Sequence, residues 1–222
     1  MHLLGQCFCH KQNLQLKIDH LINTPQPPQR TDEWHEFRHN LITASTASDG
    51  LGTQAAINRM IYSKCKPLDT KKFHSINIHT PFHHGTTYEP ISIAIYELKY
   101  NTKVEDFGCI QDDIYPYLGA SPDGICTDPS SPLFARMVEV KNVVSREIDG
   151  IPKKEYWVQM QMQMGVCKLN ECDFLETKFI EYEDSEAFNH DGDFNISEDG
   201  KTKGIFMFFM EDINTLAYEY PP

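Results

Sequence analysis

No stretch of this 222-residue chain approaches the run of about 18 apolar residues that a membrane-spanning helix needs, and the mean hydropathy is −0.47. The opening MHLLGQCFCHKQ lacks a charged n-region and a true apolar h-region, so no cleaved secretory signal is expected. The seven cysteines are odd in number and show no framework spacing. That excludes a disulfide scaffold and points to a reducing, intracellular compartment. Basic residues are scarce: 20 Lys and Arg stand against 32 Asp and Glu, a net charge of −12. Taken whole, this balance argues against nucleic-acid binding. The excess is local, however. From Glu171 onward there are 14 acids and 3 lysines, which is −11 of the −12, leaving −1 for residues 1–170. The first three quarters are free to set local basic groups against a polyanion.

What is present reads as one domain with an appendage, long enough to bury a sizeable core. Residues 1–29 read as an N-terminal leader and Pro-rich linker: Leu14 to Ile22 fits a short helix, and the prolines of TPQPPQ end it. The domain proper is 30–222. Thr31 is placed to N-cap a helix holding Trp34, Phe37, Arg38 and Leu41, and Thr43 opens a second short helix that stops at Gly50 or Gly52. Residues 53–80 are Lys-rich and poorly patterned. Residues 86–100 read as helix, with Ile91, Ile95 and Leu98 on one face and Pro90 tolerated in the first turn. Strand-like runs follow at 104–111, 115–120 and 137–144. The stretch EYWVQMQMQMGVCKL alternates with period 2, as a strand would, but its length and the spacing of Met160, Met164 and Lys168 favour helix. Strand-like CDFLETKFIEY, an acidic insertion at about 184–203 and the apolar strand GIFMFFM complete the order. The alternation predicts an α/β fold, a central mixed sheet flanked by helices.

Chemistry concentrates at SPDG, residues 121–124, and at Glu139-Val140-Lys141, sixteen residues beyond Asp123. On a strand, Glu139 and Lys141 face the same side. A carboxylate and an ammonium side by side on an apolar strand are costly unless something uses them. Asp123 follows a strand at a tight turn and can meet that pair. Two carboxylates and a main-chain carbonyl make a hard-oxygen site suited to Mg²⁺ or Mn²⁺, and a nearby lysine can orient a water, which is the equipment for metal-assisted phosphodiester hydrolysis. Each half alone has a plain explanation, a hairpin turn for the first and a solvated salt bridge for the second. Their succession across predicted strands is what raises the chemical reading.

These residues also carry a resemblance. P-D at 122–123 followed by E-V-K at 139–141 matches the PD-(D/E)XK nuclease signature, and the chain is more specifically similar to the YqaJ-type viral recombinases, the group of phage lambda exonuclease. R-T-D-E-W-H-E-F-R with I-T-A-S, H-G-T-T-Y-E, L-G-A-S-P-D-G and Y-W-V-Q-M-Q-M-Q-M resemble further motifs of that family, in order, over roughly residues 30–183. The N-terminal segment and C-D-F-L-E look most like versions from large DNA viruses. The resemblance implies a restriction-endonuclease-like core and a Mg²⁺-dependent exonuclease, with Mn²⁺ able to substitute, that degrades double-stranded DNA from the 5′ end and leaves 3′ overhangs for recombination or repair. It implies Glu89, Asp123 and Glu139 as metal-binding carboxylates, the Val140 carbonyl as a further ligand, and Lys141 beside the attacking water. Arg38, Ser45, Ser121 and Gln161 fall where the family contacts the terminal 5′-phosphate or its neighbour. The implied partners are DNA ends, a single-strand annealing protein and, in a ring-shaped trimer, further copies of the chain. The implied location, for a viral protein, is the host cytoplasm or nucleus. Two other readings share these motifs: a structure-specific endonuclease with the same centre, and a catalytically silent DNA-binding subunit. The intact Glu89, Asp123, Glu139 and Lys141 argue against the second.

Other features read as structural. Cys7, Cys9 and His10 have no second cluster to complete a zinc site, and the cysteine triplet of iron–sulfur nucleases is missing. His83, His84, Trp34, Tyr156 and the methionines of 160–164 read as packing. The loop D-G-D-F-N-I-S-E-D-G-K-T begins like a calcium loop, but Ile196 and Thr202 stand where glycine and glutamate are required, so it reads as a solvated insertion.

Overall fold

The computed structural model describes residues 2–70, 81–212 and 215–220. The elements are α1 (His2–Asn23), α2 (Asp32–His39), β1 (Ile42–Thr43), a 3₁₀ turn (Ala44–Thr46), α3 (Ala47–Gly50), α4 (Gln54–Cys65) and α5 (Pro81–Tyr100). They continue with β2 (Val104–Glu105), β3 (Ile110–Gln111), β4 (Leu118–Ala120), β5 (Gly124–Cys126), β6 (Met137–Asn142), α6 (Lys154–Cys167), β7 (Cys172–Thr177), α7 (Ser185–His190), β8 (Met207–Asp212) and β9 (Thr215–Glu219). Strands β2-β5-β6-β7 form one mixed sheet and β1-β4-β3 a second, while β8 and β9 pair as a separate hairpin. In the larger sheet β6 is antiparallel to β5 and parallel to β7. Among the described residues no helix is long and apolar enough to cross a membrane.

Strand β6 is the axis of the molecule because it is covered on both faces. Val138 and Val140 pack in a cluster with Tyr96 of α5 and Cys126. Met137 packs on the other side with Ile125, Phe107, Ile110 and, from α6, Val166 and Cys167. Complete burial of side chains such as Met137 and Ile125 contributes about 1.5–3 kcal/mol each. Ile18 and Leu21 of α1 join this second cluster, so the helix read from Leu14 to Ile22 is longer than its apolar stretch and packs against the core. The Pro-rich segment after it is anchored as well. A Cβ at Gly108 would stand 2.2 Å from the Pro27 carbonyl oxygen, and Gln29 Nε2 donates to Asp106 Oδ1 at 2.7 Å and to the Phe107 carbonyl at 2.8 Å.

Several local expectations need correction. The run 104–111 is two short strands in different sheets, and the chain crosses between them at Gly108. Part of 53–80 is helical: Thr53 caps α4 by accepting from Ala56 N, and residues 71–80 lie outside the described residues. Helix α5 begins at Pro81, so Pro90 is internal, where it removes one ladder hydrogen bond. Its buried stripe is Tyr88, Ser92 and Tyr96, whereas Ile95 and Leu98 are exposed. The polar stripe wins because β6, β7 and the segment after β7 satisfy it: Ser92 Oγ lies 2.7 Å from both Asn142 Oδ1 and Thr177 Oγ1, Tyr96 donates to Asp173 at 2.7 Å, and Tyr88 donates to Glu181 at 2.6 Å.

The acidic segment contains α7, capped by Asp184, and then folds around a cation of its own. Lys203 Nζ donates to the carbonyls of Phe188 at 2.7 Å, Asp193 at 2.8 Å and Asp191, and sits 4.2 Å from the Phe188 ring centroid. This tethered ammonium holds the loop together from inside.

Candidate active site

The spacing of Asp123 and Glu139 is the length of a hairpin. Gly124 pairs with Val138 and Ile125 with Met137, so the antiparallel register continued by one residue sets Asp123 opposite Glu139. Strand β5 starts only at Gly124, which leaves the Val140 N–H open on that edge. Asp123 Oδ2 accepts it at 2.7 Å. Pleat alternation turns Glu139 and Lys141 to the α6 face. Glu139 is wholly buried. Its Oε1 accepts from Lys141 Nζ, and its Oε2 accepts from Gln163 Nε2 of α6 at 2.7 Å. Lys141 also donates to the Val140 carbonyl at 3.1 Å and lies 5.1 Å from the Tyr156 ring centroid. Asn142, on the opposite face, donates to the Gly85 carbonyl at 2.9 Å and so ties α5 to the end of β6.

Glu89 of α5 is held by Arg30, whose Nη2 is 3.3 Å from both carboxylate oxygens. Arg30, Glu89, Asp106 and Asp123 line one open cleft of about 290 Å³. The acids in and beside it feel one another. Burial, then the Asp123 charge, raises Glu89 to about 7 against the pull of Arg30. Burial and Asp123 raise Glu139 to about 7 as well, against Lys141. Burial pushes Asp123 itself up, opposed by Lys141 and the Val140 N–H. Burial works against the Lys141 charge, but Glu139 and Asp123 outweigh it and hold the ammonium above its ordinary value.

A second group of side chains flanks Asp123. Arg38 near the end of α2 donates through Nη1 to Ser121 Oγ at 2.8 Å and through Nη2 to Ser45 Oγ at 2.9 Å, and its guanidinium stacks 4.3 Å from the Trp34 ring centroid. Thr43 Oγ1 lies 3.3 Å from both Ser45 Oγ and Thr46 Oγ1. Lys64 of α4 closes the back by donating to the Arg38 carbonyl at 2.9 Å. The geometry is a planar fork framed by hydroxyls, which suits an oxyanion with several acceptor atoms.

The structure thus brings together Glu89, Asp123, Glu139, Val140 and Lys141, and beside them Arg38, Ser45 and Ser121. It does not bring Gln161, which is exposed on α6, whereas Gln163 is fully buried. Residues two apart on a helix point about 200° from each other, and those four apart share a face. Helical geometry therefore puts Gln159 with Gln163 and excludes Gln161. Arg30, Gln163 and Lys64 are contributors that sequence reasoning passed over. Arg30 opens the R-T-D-E-W motif, and the i, i+4 glutamines were the available sign for Gln163. The His84 ring lies 4.6 Å from that of Tyr88, tilted by 52°, and Trp34 serves as a platform for Arg38. Cys65, Cys109, Cys126, Cys167 and Cys172 are free thiols, and the side chains of Cys7 and Cys9 lie outside the described residues.

Among the described residues no three His, Cys, Asp or Glu side chains converge as a ligand set. The three implied metal-binding acids are Glu89, Asp123 and Glu139. Each is turned to a partner from the chain itself: Glu89 to Arg30, Asp123 to Val140 N, and Glu139 to Lys141 and Gln163. The donor chemistry still fits a hard divalent cation. All donors are oxygen, burial raises the three carboxyls with the Asp123 charge adding to the rise at Glu89 and Glu139, and Gln163 Oε1 is buried without a hydrogen-bond partner, an acceptor left open to a cation or its hydration water.

The profile of the YqaJ-like viral recombinase domain matches residues 33–170. Uncharacterized protein R354 of Acanthamoeba polyphaga mimivirus is 32% identical over 192 residues, covering 79% of this chain and 34% of that protein. The chain therefore spans about a third of this relative's length. Among solved structures, the alkaline exonuclease LHK-Exo from Laribacter hongkongensis is similar with a TM-score of 0.52 and 28% identity, covering 67% of this chain and 74% of its own. The same enzyme in complex with dAMP gives a TM-score of 0.52 and 26% identity, over 71% and 78%.

Proposed function

The chain belongs to the YqaJ-like viral recombinase family and has the mixed α/β fold of PD-(D/E)XK nucleases, and on that premise we propose that it is a metal-dependent DNA exonuclease. It acts on double-stranded DNA from the 5′ end and leaves 3′ single strands for recombination or repair. The observation that carries this reading is the wholly buried Glu139, held between Lys141 and Gln163, with Asp123 bound one residue away. No packing role calls for a fully desolvated carboxylate at the centre of a sheet covered on both faces. Glu89, Asp123, Glu139 and the Val140 carbonyl are the oxygens that would hold Mg²⁺, or Mn²⁺ in its place. When bound, the ion supplies Lewis-acid polarisation of the phosphate and a more acidic water.

The remaining work falls to the chain. Lys141 places an ammonium beside the Val140 carbonyl, where it orients the attacking water and offsets charge developing on the phosphate oxygens. Arg38, Ser45 and Ser121 grip the terminal 5′-phosphate and so fix which bond lies over the carboxylates. Binding is mostly to phosphate without base readout, so it weakens with salt. The product overhang would pass to a strand-annealing protein, and assembly into a ring of identical chains would keep the enzyme on its track. Residues 30–222 form the nuclease domain, with α1 as its buttress. The test is digestion of linear duplex labelled at one end, with and without a 5′-phosphate, beside closed circular DNA. Loss of label from the 5′-phosphorylated end with the circle intact supports the reading, and nicking of the circle overturns it.

A further inference from the structure

We infer that Arg30 is a handover cation: it neutralises Glu89 in the free protein and passes to a DNA phosphate when a divalent cation takes that carboxylate. This rests on the nuclease reading above and adds a positioning residue to it. Arg30 joins the Pro-rich segment to α2, and its φ is +68°. A residue with a side chain keeps that left-handed conformation only where its surroundings hold it. The holders are on both sides. Gln29 is bound to Asp106 and to the Phe107 carbonyl. Thr31 Oγ1 contacts the Pro28 carbonyl at 2.9 Å and accepts from Trp34 N at 3.2 Å as the cap of α2. Between these anchors the arginine is carried into the cleft that Glu89, Asp106 and Asp123 also line.

Its grip on Glu89 is loose. One nitrogen straddles both oxygens at 3.3 Å, in place of the two short parallel bonds of a bidentate pair. The guanidinium side chain is 43% exposed, and pairs of that kind are easily displaced. Asp123 and Asp106 lie within its field as well. A divalent cation entering among these acids makes the guanidinium surplus and repels it. The nearest anion still lacking a partner is then the phosphate that arrives with the substrate, and the constrained backbone keeps the arm at the cleft to meet it.

The handover predicts effects of opposite sign. Arg30→Gly removes the guanidinium and suits the left-handed backbone, Arg30→Asn is a second neutral variant that tolerates it, and Arg30→Lys keeps the charge. Mg²⁺ affinity is measured by calorimetry without DNA. Affinity for a 5′-phosphorylated duplex is measured by fluorescence anisotropy in Ca²⁺, and thermal midpoints confirm folding. The neutral variants should bind Mg²⁺ about three- to tenfold tighter and duplex about three- to tenfold weaker, with Arg30→Lys near wild type in both. Changes of the same sign, a change in one affinity alone, or no change in either overturns the handover. Wild-type protein that binds neither Mg²⁺ nor duplex sinks the nuclease reading itself. Wild type that binds both, with neutral variants that do not diverge, sinks only the role of Arg30.

Discussion

Replacing Glu139 with glutamine should stabilise the metal-free protein above neutral pH while abolishing its activity. Glu139 is fully buried, and desolvation with the Asp123 charge raises its pKa from 4.5 to about 7. Between those values the folded chain keeps a proton that the unfolded chain has released. Stability from this group is therefore complete below 4.5, falls as pH rises through the window, and levels off above 7. A rise of that size is worth about 3 kcal/mol at full ionisation. Glutamine has nearly the same shape and no charge to desolvate, and its amide oxygen still accepts from Gln163. Against this, Lys141 loses the carboxylate it touches, at a cost of about 1–2 kcal/mol. The net expectation at pH 9 is a gain of about 1–2 kcal/mol, or roughly 2–8 °C in Tm, with no gain at pH 5. Urea unfolding followed by circular dichroism in EDTA at pH 5, 7 and 9 measures it. If the gap between variant and wild type does not widen from pH 5 to 9, ionised Glu139 is not the strained group and the electrostatic account of the centre fails.

Lys141→Ala should lower the cleavage rate by about 10²–10⁴-fold while duplex still binds in a gel-shift assay; equal rates for the two proteins would refute the placement of the centre. Arg38→Ala should erase the preference for a 5′-phosphate over a 5′-hydroxyl end, seen by comparing initial rates on the two substrates, with Ser45→Ala and Ser121→Ala each giving part of that loss. Lys203→Met should leave the nuclease rate unchanged, yet three carbonyls lose their donor at about 1–3 kcal/mol, so hydrogen exchange and proteolysis should accelerate within residues 185–203; unchanged protection there would show that the ammonium is not what holds the loop.

The parts legible in the sequence were those where one local rule decides. Thr31 caps α2 because a hydroxyl followed by an acidic first turn has one favourable use. Asp123 meets Glu139 because sixteen residues bring the chain back in antiparallel register. Where two rules compete, the reading failed. The alternating glutamines admitted a strand and a helix, and the helix favoured on length is there as α6, but the glutamine picked from it was Gln161 whereas the helix turns Gln163 inward. In α5 apolar periodicity pointed to Ile95 and Leu98, whereas the buried stripe is Tyr88, Ser92 and Tyr96. Their hydroxyls are satisfied by Glu181, Asn142, Thr177 and Asp173, partners that lie 50 to 93 residues away and leave no local trace. The Lys203 cage was hidden for a related reason: a calcium-loop template fails at Ile196 and Thr202, and nothing in a template suggests that a later lysine supplies the cation.

At the candidate centre the acids are likewise held by cations of the chain, and on the nuclease reading proposed above this reconciles an acidic protein with an anionic substrate. Glu89, Asp123 and Glu139 stand in and beside one cleft, where the Asp123 charge works against the other two and against any phosphate. In the free chain that repulsion is contained by Arg30 on Glu89, Lys141 on Glu139 and the Val140 N–H on Asp123, so the acids are kept separate and turned inward. A divalent cation could replace two of these partners at once and free their positive charge for DNA. The −11 carried from Glu171 onward lies outside the segment that supplies Arg30, Arg38, Lys64 and Lys141. Substrate attraction then depends on a few placed cations rather than on net charge. That is why whole-chain composition pointed away from nucleic acid while the spacing of a few residues pointed toward it.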